Sequence, residues 1–212
     1  MRTIKRTIPA GIVALLFVFA ASATAESTAL CKAHKEPCPK DDQYKEFHLN
    51  SVGLVKFLND VADILCLGSL IRGDIGDLGN PQGIQTTAYT FTGCGTNATH
   101  TNCTVTLPVR PNFFVLKTKL NLGEITETSS QLKFTCTGVF GTCTYKYPER
   151  TYTLEGAQHN IGTGNGMLTY PSGEEEGAKE GELELEEGEL ACPTLGAFDG
   201  LYEPLEKLYI VS

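Results

Sequence analysis

From about residue 82 the chain alternates apolar side chains with Thr, Ser and Lys, is rich in β-branched residues, and is interrupted by Gly, Pro or Asn every 8 to 12 residues. A period of two sends successive side chains to opposite faces of an extended strand, and short strands at this spacing predict a mainly β protein, an antiparallel β-sandwich or barrel-like domain. Leu116, Thr118, Leu120 and Leu122 fall on one face of one predicted strand; Leu132, Phe134 and Cys136 on a second; Cys143, Tyr145 and Tyr147 on a third. Asn165-Gly166, set between residues 157–161 and 167–170, has the pair that favours the positive φ angles of a tight hairpin turn. One segment departs from this rule. In VGLVKFLNDVADILCL, Leu54, Leu58, Val61 and Leu65 recur at helical spacing, with Val55 and Ala62 widening the stripe, so periodicity favours a short helix over 52–65. A break at Asn59-Asp60 would instead give two short strands.

The first 25 residues stand apart. Arg2, Lys5 and Arg6 precede a 14-residue apolar stretch from Ile8 to Ala21, and Ala23-Thr24-Ala25 has the small side chains of a cleavage site, the arrangement of a secretory signal peptide. A bilayer-spanning helix needs roughly 20 apolar residues, so the mature chain is expected to start near Glu26, without a transmembrane anchor, as one domain over 26–212. An exported chain enters an oxidising space, and all eight cysteines lie in this mature part. Spacing groups Cys31 with Cys38, Cys94 with Cys103, and Cys136 with Cys143 across turn-rich stretches, which leaves Cys66 for Cys192. No C-x-x-C pair occurs, and His34, His48, His100 and His159 have no ligand spacing, so zinc is not expected.

Charge is distributed unevenly. Of the formal net charge of −8, residues 26–172 contribute almost nothing, with 12 basic against 13 acidic side chains, whereas residues 173–212 hold 2 against 12. A chain this acidic has no basic surplus with which to release counterions from nucleic acid. Nine glutamates lie between Glu174 and Glu189; Leu183 and Leu185 alternate with them as on a strand with one wet face. The parity then slips before Leu190 and Cys192, which a one-residue bulge at Glu187-Gly188 would repair. The expected reading is an edge strand whose charge prevents pairing with other chains; the alternative is a contact with calcium or a cationic surface. A second group of oxygens, Asp74, Asp77 and Asn80 in DIGDLGNPQG, is a weak calcium candidate without the EF-hand pattern, and Asp and Asn are equally at home in ordinary turns.

Catalytic signatures are missing. Neither G-x-S-x-G nor H-E-x-x-H occurs, and the G-x-G-x-G at 162–166 is followed by a strand-like stretch rather than the helix a dinucleotide phosphate requires. Two opposed carboxylates would suffice for a glycosidase, but Trp, the usual sugar platform, is absent. Asn97-Ala98-Thr99 and Asn102-Cys103-Thr104 match the glycosylation acceptor pattern and are expected in an exposed loop.

The C-x6-C near the mature start, DILCLGSLI, NPQGIQTTAYTFTGC, NCTVTLPV, KFTCTGVFGTCTY, and the closing ACP and LYEPLEKLYIVS resemble an uncharacterised group of exported bacterial disulfide-bridged β-domain proteins with no assigned function. The resemblance covers nearly the whole mature chain. It implies a single β-domain ending in an apolar strand near Tyr209-Ile210-Val211, and it favours two strands over a helix at 52–65. The sequence therefore leads to an exported non-catalytic β-domain, binding or structural, at the cell envelope or outside the cell, with an envelope polymer or glycan as the partner class. A small carboxylate-dependent glycosidase or a weak calcium-binding module are the alternatives. No catalytic residue and no cofactor is assigned.

Overall fold

The computed structural model describes residues 27–59, 63–96, 102–138, 141–157, 165–170, 182–188, 191–192 and 195–212. The predicted signal peptide lies outside them, as do His100, His159 and Asn97. Among the described residues the strands are β1 (Ala29–Cys31), β2 (Glu46–Ser51), β3 (Val55–Asn59), β4 (Ile64–Ile75), β5 (Gln82–Gly95), β6 (Cys103–Val109), β7 (Phe113–Lys119), β8 (Leu122–Glu127), β9 (Ser130–Cys136), β10 (Gly141–Tyr147), β11 (Arg150–Glu155), β12 (Met167–Tyr170), β13 (Glu182–Gly188), β14 (Leu195–Pro204) and β15 (Tyr209–Val211), with a single 3-10 turn at Lys40–Asp42. All pairings are antiparallel, as the alternating pattern predicts.

Eight strands close into a barrel. Around the ring, β12, β11, β8, β7, β5, β4, β2 and β14 are hydrogen-bonded in turn, and β14 pairs back onto β12. The ring is closed by a division of labour within β14: its Tyr202–Pro204 end pairs with Ser51, Asn50 and Leu49 of β2, while its other half pairs with β3 and β13. β4 divides in the same way between β2 and β3. The far halves of β4, β5 and β14 thus join β3, β13, β10, β9 and β6 in a second lobe, where β6 lies beside β5 without a ladder.

Inward positions carry the predicted period of two. In the closed barrel, Leu49, Ile71, Ile84, Phe113, Val115, Ile125, Leu154 and Tyr202 are buried in one hydrophobic cluster. In the second lobe Phe57 sits at the centre of an aromatic cluster, 4.7 Å from Phe134, 5.0 Å from Phe198 and 5.2 Å from Phe91, within the range where ring quadrupoles attract. One cluster of buried residues runs through both lobes. Where they meet, the Tyr202 hydroxyl donates to Ser69 Oγ at 2.9 Å and lies 3.5 Å from the Tyr89 hydroxyl, so this buried phenol has polar partners.

The chain termini seal one end of the barrel. β1 and β15 pair with each other as a separate two-stranded sheet whose Leu30 and Ile210 are fully buried in the common core. Three hydrogen bonds hold it to the barrel: Gln82 Oε1 accepts from Leu30 N at 2.9 Å, Asn121 Oδ1 from Ile210 N at 3.2 Å, and Thr28 Oγ1, just before β1, accepts from Lys117 N of β7 at 3.1 Å. Gly123 permits this approach, because a Cβ there would lie 2.8 Å from Ile210 Cδ1. Lys117 adds an ion pair to Glu36 and a hydrogen bond of 2.9 Å to Ser212 Oγ.

Several sequence expectations need correction. Of the two readings of 52–65 the two-strand one holds, with β3 ending at Asn59 and β4 beginning at Ile64 and 60–62 outside the described residues, but β4 runs on past Cys66 to Ile75. The inward residues of β7 are Phe113 and Val115; Leu116 and Thr118 lie on the opposite parity, and Leu120 is exposed in a two-residue turn in which Leu120 and Asn121 both have positive φ. β12, which follows Gly166, pairs with Leu154 and Glu155 of β11, and residues 158–161 of the predicted hairpin lie outside the described residues.

The disulfides differ most. Cys31–Cys38 forms as expected, but the others are Cys66–Cys94, Cys103–Cys136 and Cys143–Cys192. Register decides this. Cys66 faces Cys94 directly across β4 and β5, and Cys103 faces Cys136 across β6 and β9. Cys136 lies opposite Gly141 in its own hairpin, so Cys143 is two residues out of register with it and turns instead to Cys192. Gly188, opposite Cys143, leaves room for that bond, since a Cβ on it would lie 2.4 Å from Cys192 Sγ.

The acidic strand β13 is not an edge: it pairs with β10 on one side and β14 on the other. Its ladder places Thr144 opposite Glu187 and Tyr145 opposite Leu185, so the extra residue is Glu186, one position before the predicted bulge. Charge here meets solvent from the middle of a sheet.

This register leads to a direct expectation. Non-reducing peptide mapping yields the 31–38, 66–94, 103–136 and 143–192 bridges. Chain-entropy arguments give about 4 kcal/mol for a closed loop of the Cys143–Cys192 size and about 2.5 kcal/mol for the Cys31–Cys38 size. A Cys143→Ser/Cys192→Ser variant should therefore lose more stability in urea unfolding than Cys31→Ser/Cys38→Ser; the reverse order would contradict the loop-size argument.

Candidate functional site

The sealed end of the barrel carries a groove of about 580 Å³. Phe47, Pro204 and Leu208, all buried, are among its apolar lining, and Lys32, Lys40, Asp41, Gln43, Tyr44, Lys45, Glu46, His48, Leu205 and Glu206 supply the rest. Its size lies within the range of small-ligand sites, and its mixture of apolar surface with converging polar groups is their usual chemistry.

Each wall is fixed by the fold beneath it. The Cys31–Cys38 bond ties the loop bearing Lys32 back to β1, and Lys32 N donates to Asp42 O at 2.8 Å. The 3-10 turn is closed by Asp42 N to Pro39 O at 2.9 Å, and Gln43 Nε2 donates to Cys38 O at 3.2 Å. Tyr44 N donates to Leu30 O at 2.9 Å, which sets Tyr44 against the terminal plug. On the far side Leu205 N donates to His48 O at 3.3 Å, anchoring the segment between β14 and β15.

Tyr44 links the two walls. Its hydroxyl donates to Lys207 O at 2.8 Å and lies 3.4 Å from Glu206 Oε2, while the Lys32 ammonium is 5.7 Å from the ring centroid. Burial, followed by the negative charge of Glu206, pushes the Tyr44 phenol up to about 12. It is therefore a neutral donor throughout the physiological range. Glu46 is engaged by His48, with Nε2 to Oε2 at 3.0 Å. Lys32, Lys40 and Lys45, by contrast, form no ion pair among the described residues.

The residues singled out from sequence lie elsewhere. Asp74 is on the outer face of β4, opposite Glu46, and lines a depression of about 350 Å³ with Gln85, Asn112 and Phe114. Asp77 and Asn80 are exposed in the following turn and do not line that depression. Among the described residues no three His, Cys, Asp or Glu side chains converge as a metal site. Asn102, expected to be exposed, is half-buried: its Oδ1 accepts from Thr96 N at 3.1 Å and its Nδ2 donates to Thr137 O at 3.1 Å. His34 stacks on Tyr209 at 5.8 Å. Sequence reasoning missed Tyr44 and Lys45 entirely. The lysines of CKAHKEPCPKDDQYK were the available local signal, but Glu206 is 162 residues from Tyr44 and nothing local joins them.

The raised phenol has a measurable consequence. Between pH 10 and 12 the unfolded chain releases the Tyr44 proton while the folded chain retains it, so stability falls as pH rises through this window. The fully buried Tyr202, raised mainly by desolvation, acts in the same direction. Urea midpoints measured from pH 9 to 12 should decline less steeply for Tyr44→Phe than for wild type; equal slopes would remove Tyr44 from the effect. The chain matches no family model, no curated protein and no solved structure, so its functional reading rests on this geometry and chemistry.

Proposed function

We propose that this protein is an exported, non-catalytic β-domain that binds a polymer or glycan at the cell envelope or outside the cell, with the groove at the sealed barrel end as its binding site. The observation that carries this reading is the fixed construction of the groove: a disulfide loop, a 3-10 turn and the β14–β15 segment are joined across it by backbone and Tyr44 hydrogen bonds. A site already held in shape spends little free energy on ordering when a ligand enters. Four disulfides suit an oxidising compartment, and among the described residues no helix is long and apolar enough to cross a membrane.

Binding is favoured over hydrolysis by the state of the groove's acids. Glu46 is held by His48 and Glu206 faces the Tyr44 hydroxyl, which leaves Asp41 alone of the lining carboxylates outside such a contact, and one carboxylate does not make an acid and base pair. Calcium gains no support from Asp74, Asp77 and Asn80, which do not share a concavity.

The test is a screen of the oxidised mature chain against envelope polysaccharides and glycans, followed by calorimetry and recovery of the ligand. Binding with the ligand recovered intact, weakened by Tyr44→Ala, is expected. Cleaved product, or binding indifferent to every groove substitution, would overturn the proposal.

A further inference from the structure

The groove's charges are unequal in availability. Its carboxylates Glu46 and Glu206 have partners within the protein, leaving Asp41 as the one acid of the lining without a recorded partner; Lys32, Lys40 and Lys45 present three ammonium groups outside any ion pair among the described residues. An incoming anion would not have to displace a carboxylate from them. Lys32 lies over the Tyr44 ring, 5.7 Å from its centroid, a weak contact at an exposed site that is readily exchanged for an anionic group.

Position strengthens this point. The exposed Glu184, Glu186 and Glu187 are on β13, beside the Leu195–Ala197 end of β14, whereas the groove is at the Pro204 end. Seven residues of strand separate the two, about 24 Å at the rise of an extended chain and roughly three Debye lengths at physiological salt. At that separation the acidic strand is screened, and the groove's own lining, three lysines beside the carboxylates of Asp41, Glu46 and Glu206, sets the local field.

The lining also indicates what bears the anion. β2 pairs with β4 along its length but with β14 only at Leu49–Ser51, and Leu205 N bonds His48 O beyond that ladder, so the groove borders only Glu46 and Phe47 of open edge, too short for an extended peptide to add. Recognition falls to side chains: a tyrosine ring pinned through its hydroxyl, and the hydrogen-bonding groups of Gln43, Asp41 and His48. An anchored aromatic surface beside several short polar groups fits a polyhydroxylated ring. Resting on the reading of the groove as a binding site, we infer that it takes an acidic glycan, with sugar carboxylates meeting Lys32, Lys40 and Lys45 and a sugar face lying against Tyr44.

The experiment uses the oxidised mature chain, with calorimetric titrations of oligogalacturonate, the same oligosaccharide after reduction of its carboxyls to alcohols, and polyglutamate of similar charge. Oligogalacturonate should bind about tenfold more tightly than its reduced form, and a Lys32→Gln/Lys40→Gln/Lys45→Gln variant should lose that tenfold while keeping the weaker affinity for the reduced sugar. Raised salt should have the same effect as the variant. Tyr44→Ala should weaken both sugars, and unchanged thermal melts of the lysine variant verify its fold. Equal binding of acidic and reduced sugar, with no effect of the lysines, would overturn the inference while leaving the groove a glycan site. Polyglutamate binding as tightly as oligogalacturonate would overturn it in favour of charge alone. Failure of every probe, with groove variants indistinguishable from wild type, would overturn both readings.

Discussion

The structure depends on the requirement that a strand's edge hydrogen bonds be satisfied. An open antiparallel sheet leaves two rows of unpaired amides and carbonyls, and a barrel removes both by closing on itself. Here closure passes through β14, whose Tyr202–Pro204 end meets β2 and whose Gly200–Tyr202 stretch meets β12. Without that exchange of neighbours the eight-strand ring would open between β12 and β14. Because β4 and β14 also pair with β3 in their other halves, the second lobe cannot separate from the first without breaking the same strands. The cluster of Phe57, Phe91, Phe134 and Phe198 and the closed barrel's aliphatic core are thereby held in one continuous interior.

A filled barrel still has ends, and the groove arises from how one of them is covered. The β1–β15 pair is too short to be stable alone, so it depends on the hydrogen bonds it makes with Gln82 and Asn121, on the bond from Lys117 N to the adjoining Thr28, and on the burial of Leu30 and Ile210. The segments entering and leaving this plug, 32–45 and 205–208, must therefore pass over the barrel rim beside each other, with Tyr44 and Lys207 bonded across the gap. The concavity between them follows from the plugging itself.

The fold class was legible because period two is a local property: Leu132, Phe134 and Cys136 alternate with wet neighbours, and their burial follows from that alone. Two kinds of information were not local. The helical spacing of Leu54, Leu58, Val61 and Leu65 is numerically real, but tertiary pairing decides the outcome, because Val55, Lys56 and Phe57 find their partners across β4 and β14. Cysteine proximity misled for the same reason. A hairpin brings Cys136 near Cys143 in sequence while its register sets Cys136 opposite Gly141, and no count of intervening residues reveals which partner faces which. The groove was the least legible feature, since Lys32, Tyr44, His48 and Glu206 become neighbours only once the termini cover the barrel.

The acidic strand shows how topology changes the meaning of a sequence feature. On an edge, the alternating glutamates of β13 would serve to repel another chain's strand. Flanked by β14 at Glu182–Glu184 and by β10 from Glu184 to Gly188, β13 lies within the sheet, and its charges give the second lobe a negative outer face, with Gln131 Nε2 donating to Glu186 Oε2 at 2.8 Å. Their separation from the lysines of the groove then matters more than their number. Formal net charge describes the molecule as acidic, yet at distances beyond a Debye length a ligand responds to the charges nearest it, and at the sealed barrel end those include three ammonium groups. The acidic strand and the concavity thus lie toward opposite ends of β14, and at the concavity three ammonium groups stand beside three carboxylates.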